Sequence, residues 1–391
     1  MRVPIHPVPP MSGPASRGRD VGILSSFPPT ACGLATFSAA LASGLVSNGS
    51  RAHVVRVVDG LGAGAASDCV VGELINGSPT SVGAAVDLLN QCEVAVIQHE
   101  YGLYGGPDGD EVVTILGGLD VPSIVVAHTI LTSPTQHQRL VLNEVAALAD
   151  QVVVMSEAAK DRLCRNFDVD SDNVMIIPHG AAVPNRNNGP SGVGDTTLLT
   201  WGLIGPGKGI ERTIDAMPSL HRLPMRPRYL VAGQTHPKVL AAFGEAYRNS
   251  LEERAERLGV GSSVHFDGHY RDVNSLTALI QDSTVVVLPY DSKEQVTSGV
   301  LVDAIAAGRP VVATAFPHAV ELLSSGAGLV VDHDDPDAMA LALKRVLVEP
   351  GLAAQMAAEA QRLAPALGWS VVAGQYADVA ERLLVDLPIL V

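Results

Sequence analysis

The sequence predicts an α/β protein built from two Rossmann-like, doubly wound parallel-sheet domains that face each other across a cleft. Three observations carry this. Short apolar, β-branched runs alternate with longer helix-patterned stretches along the chain. A polar, glycine-rich stretch at 185–194 divides them into two series. The two series also open alike, one with GILSSFPPTACGLATF and the other with LLTWGLIGPGKGIERT. Each opening is a strand, a turn-rich loop, a glycine (Gly33 or Gly209) and a helix.

Strands are expected at 21–26, 53–58, 94–98, 123–127, 151–155 and 174–177, then at 197–201, 228–232, 263–267, 284–289, 310–314 and 328–331. Runs such as Val94-Ala95-Val96-Ile97 and Val285-Val286-Val287-Leu288 are apolar on both faces, as parallel strands covered by crossover helices are. Helical patterns lie between them, for example at 34–47, 136–148, 210–220, 239–258 and 300–307. The stretch 369–384, after Pro365 and Gly368, reads as an amphipathic helix. Residues 1–19, rich in Pro, Gly and Ser, read as a flexible N-terminal tail. The first domain is 20–184 plus 366–391, the linker 185–195 and the second domain 196–365.

Of 391 residues, 47% are hydrophobic and 17% charged, which supplies large cores and excludes a disordered chain. No apolar run reaches the ~18 residues of a spanning helix. The formal net charge of −15 repels a phosphate backbone, so nucleic acid is excluded as a partner. At most peripheral membrane association is expected. Cys32, Cys69, Cys92 and Cys164 are scattered without a CxxC pair, which excludes zinc ribbons and dithiol redox motifs. With no apolar leader at the N-terminus, they read as reduced thiols of a cytoplasmic protein.

Two loops could hold a phosphate. Gly205-Pro206-Gly207-Lys208-Gly209 follows a strand and opens a helix. Its glycines let backbone amides approach a ligand, and Lys208 adds a point charge. It is neither GxxxxGK[ST] nor GxGxxG, and a plain turn with a solvated lysine fits as well. The segment from Pro289 to Gly299 precedes a second helix, with Thr297 or Ser298 as N-cap. The amides of Ser298, Gly299 and Val300 are then expected to face the cleft. Glu294 before this helix and Asp303 inside it suit sugar hydroxyls, which need acceptors; either fits equally as a surface acid. His99-Glu100-Tyr101 and His128 end strands whose tips face the crevice of an open parallel sheet. The absence of HExxH and of a nearby Cys argues against zinc, and the absence of GxSxG against a serine hydrolase. His318 and Glu321 read as a hydrogen-bonded helix start rather than a ligand pair. No metal site is expected.

Nine stretches in order, FPPTACGLATF, QHEYGLYGG, VAHTIL, ADQVVVMSEAAKDRL, IIPHG, TWGLIGPGKGIERTIDAM, VAGQTHPKV, EQVTSGVLVDAIAAGRPVVAT and HAVELL, lie within 21–331. Together they resemble glycosyltransferase family 4, the retaining nucleotide-sugar transferases of the GT-B fold, and within it a mannosyltransferase-like subgroup. The resemblance implies a hexosyltransferase with no cofactor beyond its donor, GDP-mannose or a UDP-sugar, and a glycan, lipid or small-molecule acceptor. It places Gly33 near the donor phosphates and His128 at the transferred sugar. Lys208, beside Gly207, falls on the diphosphate; Ser298, Gly299 and Val300 fall on the helix start beneath it. Asp303 takes the position of the ribose-binding acid and Glu294 that of the sugar-reading acid, so His128, Lys208 and Glu294 become the catalytic candidates. His99, Glu100 and Tyr101 become acceptor-side candidates.

Two positions depart from the pattern. Leu203 stands where the family often has arginine, and the spacing from Glu294 to Asp303 is nine rather than eight, which puts Gln295 in register for the first acid. The implied chemistry retains the anomeric configuration, with the leaving diphosphate helping to deprotonate the acceptor. Two other readings share the phosphate features: a GT-B sugar-nucleotide epimerase and a non-catalytic nucleotide-sugar-binding protein.

Overall fold

The structure, a computed structural model, describes residues 18–30, 32–60, 67–184, 196–269 and 271–386. Most of the expected tail, the whole 185–195 linker and the last five residues lie outside the described residues.

The first sheet contains β1 (Asp20–Ser25), β2 (Arg51–Val58), β3 (Val70–Ile75), β4 (Val94–His99), β5 (Ser123–Ala127), β6 (Gln151–Val154) and β7 (Val174–Ile176) in the order β3-β2-β1-β4-β5-β6-β7. The second contains β8 (Thr197–Trp201), β9 (Arg228–Ala232), β10 (Val264–Asp267), β11 (Val285–Leu288), β12 (Val311–Thr314) and β13 (Gly328–Val331) in the order β10-β9-β8-β11-β12-β13. Every pairing is parallel. In each sheet the chain runs outward one way from its first strand and then returns to build the other way. The tips of β1 and β4, and of β8 and β11, therefore flank a topological switch point, where open parallel sheets bind ligands.

Helices cover both faces. The first sheet carries α1 (Gly33–Ser47), α2 (Pro79–Leu89), α3 (Glu111–Gly117), α4 (Gln136–Leu148) and α5 (Glu157–Asn166). The second carries α6 (Ile210–Leu220), α7 (Pro237–Phe243), α8 (Ala246–Arg257), α9 (Val273–Asp282), α10 (Gly299–Ala306), α11 (Pro317–Leu323), α12 (Ala338–Val348) and α13 (Leu352–Leu363). Successive strand residues point to opposite faces. Leu24, Ile97, Val125 and Val154 thus join one core, and Ile23, Val96, Val126 and Val153 another. The last helix, α14 (Trp369–Asp386), adds Val372 and Tyr376 to the second of these cores and packs on α1. It reaches there because the two crossings between domains pair: Ala181 N–H donates to Leu367 O at 2.7 Å and Trp369 N–H to Ala181 O at 3.3 Å. No helix of the described residues is long and apolar enough to cross a membrane.

The structure differs from the sequence expectation in two elements. β3 is absent from the expected strands because it is an edge strand with only Leu74 buried and Gly72 in its middle. A Cβ at Gly72 would lie 2.4 Å from Leu88 Cδ1, so α2 rests directly on its backbone. The single helix expected at 239–258 is instead α7 and α8. Gly244 breaks it with φ of 58°, a left-handed conformation that costs glycine little.

Candidate functional site

The loop from β8 to α6 packs on the tip of β11. Gly209 has φ of 62°, and a Cβ there would lie 1.8 Å from Pro289 O, so no other residue fits. Asp291 N–H donates to Gly207 O at 3.0 Å and closes the loop. Gly207 itself, with φ of 90°, has nothing within 4 Å of a Cβ position and leaves open space. Lys208 is half-buried, and its ammonium lies 4.7 Å from the centroid of the Tyr290 ring, which stacks on Phe316. Burial lowers its pKa. Neighbouring cations are already engaged: Arg212 bonds Asp291 at 3.1 Å and His333 O at 2.7 Å, and Lys293 bonds Asp334 at 2.8 Å. Lys208 has no carboxylate partner among the described residues. An aromatic face holds a cation without neutralising it, so its charge stays available to an anion.

Beside the Tyr290 hydroxyl, Ser298 caps α10, its own hydroxyl accepting from Leu301 N–H at 3.3 Å. The cap is Ser298 and not Thr297. The expectation for the amides needs a correction: Ser298 N–H is not free for a ligand, because it donates to Nδ1 of His318 at 2.8 Å. The first helical amides, those of Gly299 and Val300, have no partner within the helix. Gly299 lies against His179, whose Nε2 is 2.8 Å from where a Cβ would stand. His179 Nδ1–H donates to Gly180 O at 2.7 Å, which leaves Nε2 bare toward that helix end. Burial pushes His179 and His318 down to about 4, so both are neutral at pH 7. Asp303 lies one turn into α10 with no hydrogen-bond partner among the described residues, and burial raises its carboxyl to about 7. The Tyr290 hydroxyl makes no full hydrogen bond among the described residues and lies near the Ser298 hydroxyl and the Asp303 carboxyl. Tyr290 is thus the platform around which Lys208, Ser298 and Asp303 gather. His318 and Glu321 do not form a ligand pair, since Glu321 is used elsewhere, and no group of three or more His, Cys, Asp or Glu among the described residues is placed to hold a metal.

From the first domain, Gly33 is the first residue of α1, is exposed, and has nothing among the described residues within 4 Å of a Cβ position. Cys32 caps this helix through its sulfur, which meets Ser26 Oγ at 3.2 Å. The β1–α1 loop is pinned from β2 by Arg56, buried, which donates to Pro28 O at 3.2 Å and pairs with Glu73. His128 directly follows β5, with its Nε2 at 2.6 Å from Gln98 Oε1 and its ring edge-on to Phe37 at 4.9 Å. Burial, then the nearby His179 and His99, push it down to about 3. It lines a cavity of about 390 Å³ together with Arg162 of the same domain and Glu294, Gln295 and Thr297 of the other. Glu294 is exposed at its mouth. Gln295 turns its amide back, donating from Nε2 to Thr297 O at 3.0 Å.

The acceptor-side candidates sit deeper than expected. His99 and Tyr101 are buried, edge-on to each other at 5.2 Å, and neither lines the cavity. Glu100 is half-buried and its pKa is raised by burial. The tip of β4 is sealed by Tyr104, whose hydroxyl donates to Gln98 O at 2.6 Å. Sequence reasoning missed Gln98, Arg162, His179 and Tyr290 as individual side chains. Gln98, next to His99, was legible as a polar residue at a strand tip; Arg162 lies in an ordinary helix and carries no local signal.

The profile of the family described as "Glycosyl transferases group 1" matches residues 195–349. An uncharacterized glycosyltransferase of Methanocaldococcus jannaschii is 27% identical over 51% of this chain and 52% of its own length. The D-inositol 3-phosphate glycosyltransferase of Streptomyces griseus is 28% identical over 62% of this chain and 56% of its own. The match thus spans little more than half the length of these relatives. Among solved structures, Anabaena HepE in complex with UDP and glucose superposes with a TM-score of 0.72 at 18% identity, covering 93% of this chain and all of that one. Sucrose-phosphate synthase from Thermosynechococcus elongatus gives 0.70 at 18% identity, covering 94% of this chain and 99% of that one. The second domain of this chain matches the glycosyl transferases group 1 family, and its two sheets together form the GT-B fold.

Proposed function

We propose that the protein is a retaining glycosyltransferase that moves a hexose from a nucleoside-diphosphate sugar to a hydroxyl of a glycan, lipid or small-molecule acceptor. The observation that carries this is Lys208: a half-buried ammonium without a carboxylate partner among the described residues, on a glycine loop at the switch point, beside a helix whose Gly299 and Val300 amides have no partner within it. That is a receptor for a diphosphate. The relatives' names accord with it, since one acts on D-inositol 3-phosphate and a solved neighbour was captured with UDP and glucose. The donor is GDP-mannose or a UDP-sugar.

In this reading Asp303 accepts ribose hydroxyls, and Lys208 with the Gly299 and Val300 amides takes the diphosphate. Gly33 leaves room for its outer phosphate. Glu294 or Gln295 reads the hexose, and His128, held neutral, meets it from the first domain. As the bond from the anomeric carbon to the diphosphate oxygen breaks, charge grows on that oxygen, and fixed donors aimed there lower the barrier. The acceptor hydroxyl attacks the same face, and its proton passes to the departing diphosphate. The charge is met by Lys208 and amides, so the reaction is proposed to need no metal. Among the described residues lining the cavity Glu294 is the one carboxylate, which favours transfer over an epimerase with a pair of acid–base carboxylates.

Thermal-shift measurements against nucleoside diphosphates and their sugars test the reading, because a ligand at 100 times its Kd adds about 2.7 kcal/mol of stability. Product analysis with an acceptor panel then separates transfer from epimerisation and from binding alone. No stabilisation by any nucleoside diphosphate would overturn it.

A further inference from the structure

The loop that carries Glu294 and Gln295 belongs to the second domain by connectivity but is held largely by the first. Val296 is buried within the first domain's core, in one cluster with Ile130, Val154, Ala159 and Leu163. Three successive carbonyls of the loop are engaged. Arg162 Nη1 donates to Glu294 O at 2.6 Å and, on its own domain, to Ile130 O at 2.9 Å. Ser156 Oγ donates to Val296 O at 2.6 Å while accepting from Ala159 N–H at 3.0 Å as the cap of α5. Between them, Gln295 O accepts from His318 N–H at 3.3 Å, the one contact of the three that comes from the second domain. One turn away the traffic reverses. Glu321 on α11 places its carboxylate over the start of α5, accepting from Glu157 N–H at 2.9 Å and Ala158 N–H at 3.0 Å. A carboxylate there also meets the positive end of the helix dipole.

We propose that Arg162 and Val296 are positioning residues for sugar recognition. They set the Glu294–Gln295 pair only while the second domain is docked on α5. Recognition of the nucleoside diphosphate, built on Lys208, α10 and Asp303 within the second domain, does not depend on them. The inference rests on the donor reading above. Its physical basis is that undocking exposes an apolar side chain and returns two carbonyls to water. The short loop then loses the contacts that choose which of its two polar side chains faces the cavity. The hexose would thus be read only in the docked arrangement, which is also the one that brings His128 to it.

The test uses the full chain with Arg162→Ala, Arg162→Lys and Val296→Ala. Hydrogen exchange of a peptide covering 292–298 is expected to speed up in Arg162→Ala and Val296→Ala, with α10 unchanged and partial rescue in Arg162→Lys. Calorimetry with UDP and GDP is expected to match the unsubstituted protein, whereas the added affinity of UDP-glucose or GDP-mannose over the bare nucleotide drops about tenfold. Unchanged exchange across 292–298, or equal losses for bare nucleotide and nucleotide sugar, overturns the proposal. If the unsubstituted chain binds no nucleoside diphosphate, the donor reading fails, and the exchange result still decides the docking of the loop. Should Arg162→Ala fail to fold, Val296→Ala carries both measurements, since it removes two methyl groups and no charge.

Discussion

Nε2 of His128 lies 2.6 Å from Oε1 of Gln98, at the adjacent tips of β5 and β4. An amide oxygen only accepts, so Nε2 carries the hydrogen and Nδ1 is bare. A neutral partner carries no charge to attract imidazolium, and burial depresses the pKa to about 3. The charged and titratable groups that act on this ring are His179 and His99, both of which oppose a further positive charge.

Gln98→Glu is therefore expected to bring proton uptake by His128 and the carboxylate introduced beside it into the range near neutrality. Imidazole resonances followed by NMR check this: His128 in the unsubstituted protein is expected to show no titration above pH 5. The sign for stability follows. The unfolded histidine gains its proton below about 6.5 and the folded one only near 3, so the folded state loses stability as pH falls between those values. A flatter acid limb of thermal unfolding is expected in Gln98→Glu, and an identical limb would contradict the direct contact between residue 98 and this ring.

Lys208→Ala is expected to slow transfer by about 10²–10³-fold, the usual cost of removing one charge stabiliser from a reaction centre. The fold should survive, because the substitution removes a half-buried ammonium that no carboxylate neutralises. Arg212 and Lys293 are poor substitutes, each tied to an acid. Turnover in the unsubstituted protein is also expected to persist after thorough chelation. Loss with EDTA and recovery with Mn²⁺ would show that a metal, and not Lys208 with the helix amides, carries the leaving-group charge.

Asp303→Asn should separate stability from binding. Burial holds the folded carboxyl protonated up to about 7, against 3.8 for an ordinary aspartate. The native state thus binds the extra proton between those values, and its advantage is lost as pH rises toward 7. Asparagine has no charge to bury, so the melting temperature at pH 8 is expected to rise. Affinity for the bare nucleotide is expected to fall, as the best acceptor for ribose hydroxyls is gone. A variant that is no more stable at pH 8 would show that Asp303 is not desolvated.

Glu294→Ala is expected to bind the free nucleotide almost normally and to lose discrimination between epimeric donor sugars. A site built to bond a hydroxyl rejects the analogue that lacks it because the site's own polar group is left unpaired. Competition between epimeric donors measures this. If Gln295→Ala alters sugar choice and Glu294→Ala does not, the eight-residue register ending at Asp303 is the operative one. Gln295 would then have to release Thr297 O on binding.

The sequence by itself determined the two sheets, their parallel strands and the two glycine loops at the switch points. These are local properties: runs apolar on both faces demand helices on both sides, and glycines mark where backbone must turn or lie bare. It also brought Lys208, Ser298, Gly299 and Asp303 onto loop and helix positions that the structure gathers around Tyr290. What only the tertiary structure decided is which groups remain unpaired. Lys208 is available because Asp291, His333 and Asp334 occupy the other cations, and Ser298 N–H is unavailable because His318 takes it. The edge strand β3 was invisible for the same reason, since its place depends on Leu88 covering Gly72 rather than on its own pattern. Most of all, Val296 lies in the core of the domain it does not belong to, held by a serine 140 residues away. No spacing along the chain encodes such a contact, because it arises when two separately folded surfaces meet.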